Sequence, residues 1–217
     1  MFNFTFIPLL IILIQPGQNN AAQNDFMMFN KFTSGEVYFD NGETIKAPLN
    51  YNTLNEEMMF IQAGDTLSLT NTHEIEKIVI NNQSFVPSSK LAFYEKIEGK
   101  QSAIYIKHLS RLVAKGKPAA YGGYSETTST TGYSNYSNST TGENRQLKVD
   151  ENIRYKNYQF CFVKINGHYK NISNRKLLTK CFKSQKKEIE EYLIQNDIDF
   201  DIPGAVLKLA DDLKLMD

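Results

Sequence analysis

The chain has 217 residues, with 24 Lys and Arg against 24 Asp and Glu, so its formal net charge is zero. That balance argues against a generally polybasic nucleic-acid binder and against an acidic solvating tail. The length and the 41% hydrophobic content support a buried core, and 12 Tyr with 14 Phe and no Trp lean towards strands.

The first charged side chain is Asp25, and Phe6 to Ile14 form a nine-residue apolar run stopped by Gln15-Pro16-Gly17. Such a run suits the apolar region of a signal peptide and is too short for the ~30 Å hydrocarbon core of a bilayer. Ala21-Ala22 offers a cleavage point, although the segment lacks a leading Lys or Arg. The expectation is an exported protein (periplasmic, outer-membrane-associated or secreted) with residues 1–22 as the signal peptide. No transmembrane segment is expected after its removal.

Short β-runs then alternate with turn signals. Gly35 to Phe39 precedes Asp40-Asn41-Gly42, a hairpin signal. Thr44 to Tyr51 alternates, and Pro48 within it marks an edge or a bulge. Glu57 to Ile61, Thr66 to Thr70, Ile75 to Ile80, Ser84 to Val86, Leu91 to Ile97 and Ala103 to Val113 follow. Their spacing predicts an antiparallel meander forming a small barrel or sandwich over 23–120.

Residues 121–145 read as a flexible linker. Between Tyr121 and Gly142, 17 of 22 residues are Ser, Thr, Gly or Asn and none is aliphatic. Strands resume at Gln146 to Val149 and at Tyr158 to Ile165, and Asn166-Gly167 turns into His168 to Ile172. Helices complete the 146–217 unit. Ser173 or Asn174 can cap one carrying Leu177, Leu178, Cys181 and Phe182 on a face, and Ser184 can cap the next, with Ile189, Tyr192 and Leu193. Pro203 opens the last, which aligns Val206, Leu207, Ala210 and Leu213. The fold class is mainly β with a C-terminal helical segment, an α+β arrangement.

Catalytic signatures are sparse. No G-x-S-x-G, H-E-x-x-H, Walker A, G-x-G-x-x-G or EF-hand pattern occurs. Ser173 and Lys176 match S-x-x-K without the partner motifs, which leaves a helix cap as the plainer reading. His73, His108 and His168 are scattered, and nothing in the sequence sets a nucleophile beside any of them. No cofactor or metal site is expected. Cys161 and Cys181 lie 20 residues apart. They could form one disulfide, worth about 3 kcal/mol by loop closure, or serve as two separate small buried residues.

The most informative feature is charge segregation. Residues 152–187 hold ten cations and no carboxylate: Arg154, Lys156, Lys164, Lys170, Arg175, Lys176, Lys180, Lys183, Lys186 and Lys187. Residues 188–217 hold nine acidic residues against two lysines. Tyr155, Tyr158, Phe160, Phe162 and Tyr169 interleave with the cations, a pattern able to hold an anionic polymer by charge and stacking. The alternative is that the acidic helices fold back and neutralise the stretch, aided by Lys186/Glu190 and Lys187/Glu191 at i, i+4.

Several stretches carry a resemblance. Gly35-Glu-Val-Tyr-Phe-Asp-Asn-Gly42, Leu49-Asn-Tyr-Asn52, the Tyr121-Gly-Gly segment, Phe162-Val-Lys-Ile-Asn-Gly-His-Tyr169, Lys176-Leu-Leu and Lys186-Lys-Glu-Ile-Glu-Glu-Tyr192 together resemble a group of exported Bacteroidetes proteins of unknown function. The resemblance implies export and this β-then-helix layout, and it carries over no catalytic residue. The expected function is that of a non-enzymatic binding or interaction protein of the cell envelope. Its partner is another envelope protein or, through 152–187, an anionic polymer, with no nucleic acid expected. A hydrolase with an unrecognised site is the remaining alternative.

Overall fold

The computed structural model describes residues 26–88, 91–114, 117–118, 124–125 and 153–215. The expected signal peptide, the expected Gln146 to Val149 strand and nearly all of the expected linker lie outside the described residues. Within the linker span, Tyr124–Ser125 (β10) pairs with Lys117–Pro118 (β9).

The remaining strands form one ten-stranded antiparallel sheet. They are β1 (Thr33–Phe39), β2 (Thr44–Asn52), β3 (Glu57–Gln62), β4 (Asp65–Ser68), β5 (Ile75–Ile80), β6 (Gln83–Pro87), β7 (Phe93–Glu98), β8 (Ala103–Ala114), β11 (Ile153–Ile165) and β12 (His168–Asn171). The spatial order is β12-β11-β8-β7-β6-β5-β1-β2-β3-β4. The meander is therefore broken once. After β4 the chain returns through a 3-10 turn at Thr72–Glu74 and lays β5 on the free edge of β1. The Asp40 N–H, donating to Glu74 C=O at 2.9 Å, fixes that return.

Tight turns set the local registers. Asn81 and Asn82 take φ of 49° and 65°, and Asn166 and Gly167 take 50° and 77°. These left-handed pairs twist with the strands they join, which is why Asn and Gly occupy them. Pro48 sits just before the β2–β3 ladder begins at Leu49, so its missing N–H costs no pairing there.

The sheet is open. It curls enough for the Ser110 N–H on β8 to donate to Thr53 C=O at 2.9 Å, at the end of β2. One hydrogen bond is not a ladder, and the edge of β2 that closure would need is already paired with β3. The small barrel or sandwich suggested by strand spacing thus does not form, while the mainly antiparallel character with C-terminal helices holds.

Register partners across antiparallel strands share a face, so the ladder defines two sides. One side carries two cores. The first, inside the curl, gathers Val37, Leu49, Tyr51, Met58, Ile78, Ile80, Phe85 and Phe93. The second packs Ile104, Cys161 and Val163 against α1 (Arg175–Cys181), α2 (Lys186–Gln195) and α3 (Pro203–Asp212), through Leu178, Ile189, Val206, Leu209 and Ala210. Asn174 caps α1, its Oδ1 accepting the Leu177 N–H at 2.9 Å. The Ser184 cap does not form. Lys183–Gln185 make a 3-10 turn that runs straight into α2, and Gln185 at the cap position gives no side-chain bond. No helix among the described residues is long and apolar enough to cross a membrane.

Candidate functional site

Three arrangements of polar or aromatic residues could carry function. The first is a polar seam between the two cores. His108 Nε2 lies 2.7 Å from Glu95 Oε2, both side chains 9% exposed. Gln83 Nε2 donates to Glu95 Oε1 at 2.8 Å, and Gln159 Nε2 lies 3.4 Å from His108 Nδ1. Beside them Thr53 Oγ1 and Ser110 Oγ meet at 2.6 Å, and Ser110 Oγ donates to Asn157 Oδ1 at 2.5 Å. Both ring nitrogens of His108 therefore face a carboxylate and an amide, not a hydroxyl nucleophile. His73 lies beside Glu74 on the surface at 3.5 Å, and His168 is exposed at the start of β12.

The Ser173/Lys176 spacing resolves into structure. Ser173 Oγ accepts the Cys161 N–H at 2.8 Å and donates to Cys161 C=O at 3.3 Å, while Lys176 is exposed. Cys161 and Cys181 are both free. Burial pushes the Cys161 thiol up to about 11, with the Asp201 carboxylate adding to it. Cys181 Sγ donates to Asn171 C=O at 3.6 Å, and burial raises it too.

The second arrangement is the basic stretch, which the fold divides. Arg154, Lys156 and Lys164 alternate along β11 on the side opposite the helices. Lys170, opposite Val163, falls on the helix side of β12. Arg175, Lys176, Lys180, Lys183, Lys186 and Lys187 are exposed on the helical segment. Lys186 and Lys187 meet Glu190 and Glu191 at 3.8 and 3.7 Å. Other acidic residues of the tail are used elsewhere: Asp211 caps backbone N–H groups of Lys100, Gln101 and Ser102, and Asp212 accepts the Tyr192 hydroxyl at 2.6 Å.

The third arrangement is the sheet face opposite the helices. Tyr94, Tyr105, Phe162 and Tyr169 come together there from β7, β8, β11 and β12. Tyr94 stacks on Phe162 at 5.0 Å, and Tyr169 meets Tyr94 and Tyr105 edge-on at 4.9 and 5.0 Å. Lys164 Nζ stands 5.6 Å from the Tyr169 ring centre. Partial burial, with the neighbouring tyrosines, pushes the Tyr169 phenol up to about 12. Farther along β11, Tyr158 lies parallel to Phe160 at 6.3 Å, with Arg111 and Lys156 over Tyr158. An open groove of about 1000 Å³ runs over this side, past Lys77, Val79, Ser84, Val86 and Lys96 to Tyr105, Lys164 and Tyr169.

Strand alternation explains the sorting. Of the five aromatics interleaved with the basic stretch, Tyr158, Phe160, Phe162 and Tyr169 share this face, and Tyr155 turns to the other, where it meets Phe26 at 5.3 Å. Sequence reasoning missed Tyr94, Tyr105 and Arg111, whose partners lie on other strands. It also missed that β11 begins at Ile153, five residues before the expected Tyr158. Arg154-Tyr-Lys-Asn157 is polar, and only its pairing with β8 makes it a strand.

No family model, curated protein or solved structure matches this chain. The face geometry and the residue chemistry therefore carry the functional argument alone.

Proposed function

We propose that this chain is an exported, non-enzymatic binding protein of the cell envelope that holds its partner on the sheet face opposite the helices. The observation behind this reading is the Tyr94–Tyr105–Phe162–Tyr169 cluster. Helices cover the other face, yet these rings sit half-buried on a side that no described helix covers. Aromatic rings with lysine nearby, on a broad groove, suit recognition of a partner surface more than chemistry on a small substrate. The apolar N-terminal run supports export. The polar seam argues against a hydrolase, because His108 is engaged by Glu95 and Gln159 inside the fold.

Hydrogen–deuterium exchange of the mature chain, with and without an isolated cell-envelope fraction, tests the reading. Protection should fall on β7, β8, β11 and β12 and spare α1 to α3. Protection confined to the helices, or none anywhere, rejects it. Fusing residues 1–24 to a reporter that is active only after export tests the compartment; a reporter retained inside the cell rejects that part.

A further inference from the structure

The β8–β11 ladder sets Arg111 directly opposite Lys156. Register partners share a face, so the two cations stand side by side away from the helices. Like charges in that position repel. Both side chains are exposed, and among the described residues neither has a carboxylate within ion-pairing distance. They converge instead on one ring: the Arg111 guanidinium carbon lies 5.7 Å and the Lys156 Nζ 5.5 Å from the centre of Tyr158. Other lysines of this face are matched, Lys46 with Glu36 at 2.9 Å, Lys96 with Glu98 at 2.5 Å and Lys107 with Glu56 at 2.6 Å. An anion between Arg111 and Lys156 would relieve a repulsion that the fold leaves standing.

We propose that Arg111 and Lys156 form a subsite for the sulfate or carboxylate group of an acidic polysaccharide, with Tyr158 and Phe160 against its sugar rings. The inference rests on the reading of this face as the binding surface and names the ligand chemistry. Lys164, over Tyr169, is a second cation with no described carboxylate partner. It lies eight residues along β11, roughly 26 Å at a strand's rise. Tyr158, Phe160 and Phe162 stand between these cationic points on the same face of β11, so a chain laid along the strand would set its rings on aromatic surfaces and its acid groups on the cations.

The test uses the full mature chain with four probes: heparin, polygalacturonate, neutral dextran and a single-stranded DNA oligonucleotide. The wild type should bind heparin or polygalacturonate and leave dextran free. Arg111→Gln/Lys156→Gln should weaken that binding about tenfold or more and lower its salt dependence, as expected when phosphate-like anion contacts are lost. The same variant should keep or raise its melting temperature, since the repulsion is gone. Lys170→Gln/Lys180→Gln, on the helix side, should bind as the wild type does. Failure of the wild type to bind either acidic polysaccharide overturns the proposal, as does an unaffected Arg111→Gln/Lys156→Gln variant or tighter binding of the DNA. If that variant still shows envelope-induced protection on β7, β8 and β11, the binding face stands and only the acidic-sugar assignment falls. If acidic polysaccharide binds but protects the helices instead, the face itself is wrong.

Discussion

Ser102, at the turn into β8, is held by Asp211 of α3: its N–H donates to Asp211 Oδ1 at 2.9 Å. The same carboxylate accepts from the N–H groups of Lys100 and Gln101 at 2.8 and 3.0 Å, and Ser102 Oγ donates to Ala210 C=O at 3.0 Å. The last helix is thus clamped to the β7–β8 turn by the side chains of Asp211 and Ser102. The backbone N–H groups of Lys100 and Gln101, then of Ser102, hold the Asp211 carboxyl below the usual aspartate range. A depressed folded-state pKa contributes stability that is complete above the unfolded value and is lost as pH falls through the folded one. Asp211→Asn should therefore lower the urea midpoint at neutral pH, and its difference from the wild type should shrink in acid. A difference that stays constant down to the acid limit would contradict the clamp.

Gly99 owes its identity to the same contact. A Cβ there would overlap the Asp211 carboxylate. Gly99→Ala should destabilise the wild type and cost far less in an Asp211→Ala background, because the obstructing group is gone. A double-mutant cycle on urea midpoints reads this coupling directly. Additive losses would show that Gly99 is required for some other reason.

Local chemistry made much of the fold readable. Asn81-Asn82 and Asn166-Gly167 announce hairpins because few residues accept positive φ, and Pro203 opens α3 because its missing N–H is harmless there. Helix faces follow from spacing, as Ile189 and Val206 show by their complete burial. What stayed hidden depends on partners distant in sequence. The placing of β5 on β1 reverses the meander, and no residue between Leu69 and Glu74 encodes it locally. The basic stretch looked like one patch, yet strand alternation and the start of α1 send its cations three ways. Arg111 gains meaning only from Lys156 across the ladder.

Tyr51 fills the first core completely and donates its hydroxyl to Phe93 C=O at 3.0 Å. Burial raises its pKa, so the phenol remains a donor at any ordinary pH. Tyr51→Phe keeps the ring and should cost about 1 kcal/mol, the net value of one buried hydrogen bond. Tyr51→Ala should cost about 3–5 kcal/mol, as a large buried ring lost to a cavity does. Chemical denaturation of the two variants separates packing from bonding; equal losses would assign the whole effect to the hydroxyl.

The two thiols should differ in reactivity. Cys161 is buried, with its thiol pushed up to about 11, whereas Cys181 is half-buried and its pKa is raised by partial burial. Thiolate is the reacting form, so a native chain at neutral pH should alkylate slowly, Cys181 before Cys161. Mass analysis of time points reads the order, and denaturant should equalise the two. Faster labelling of Cys161 in the native chain would place it nearer solvent than the packing with Val163 and Ile172 allows.

The polar seam can be judged by what its loss costs. Glu95 accepts from Gln83 and faces His108, so removing the imidazole leaves a carboxylate in a buried site with one amide partner. His108→Ala should destabilise the chain by about 1–3 kcal/mol, as leaving a buried polar group without its partner does. Replacing both groups, with Glu95→Leu and His108→Leu together, should recover much of that loss, because neither polar group is then left without its partner. A catalytic pair would behave otherwise: both variants would lose activity, and stability would not set the order between them. Urea midpoints for the single and double variants, alongside binding to the envelope fraction, decide the matter. Unchanged binding in a folded double variant assigns the seam to the scaffold and leaves the opposite face as the working surface.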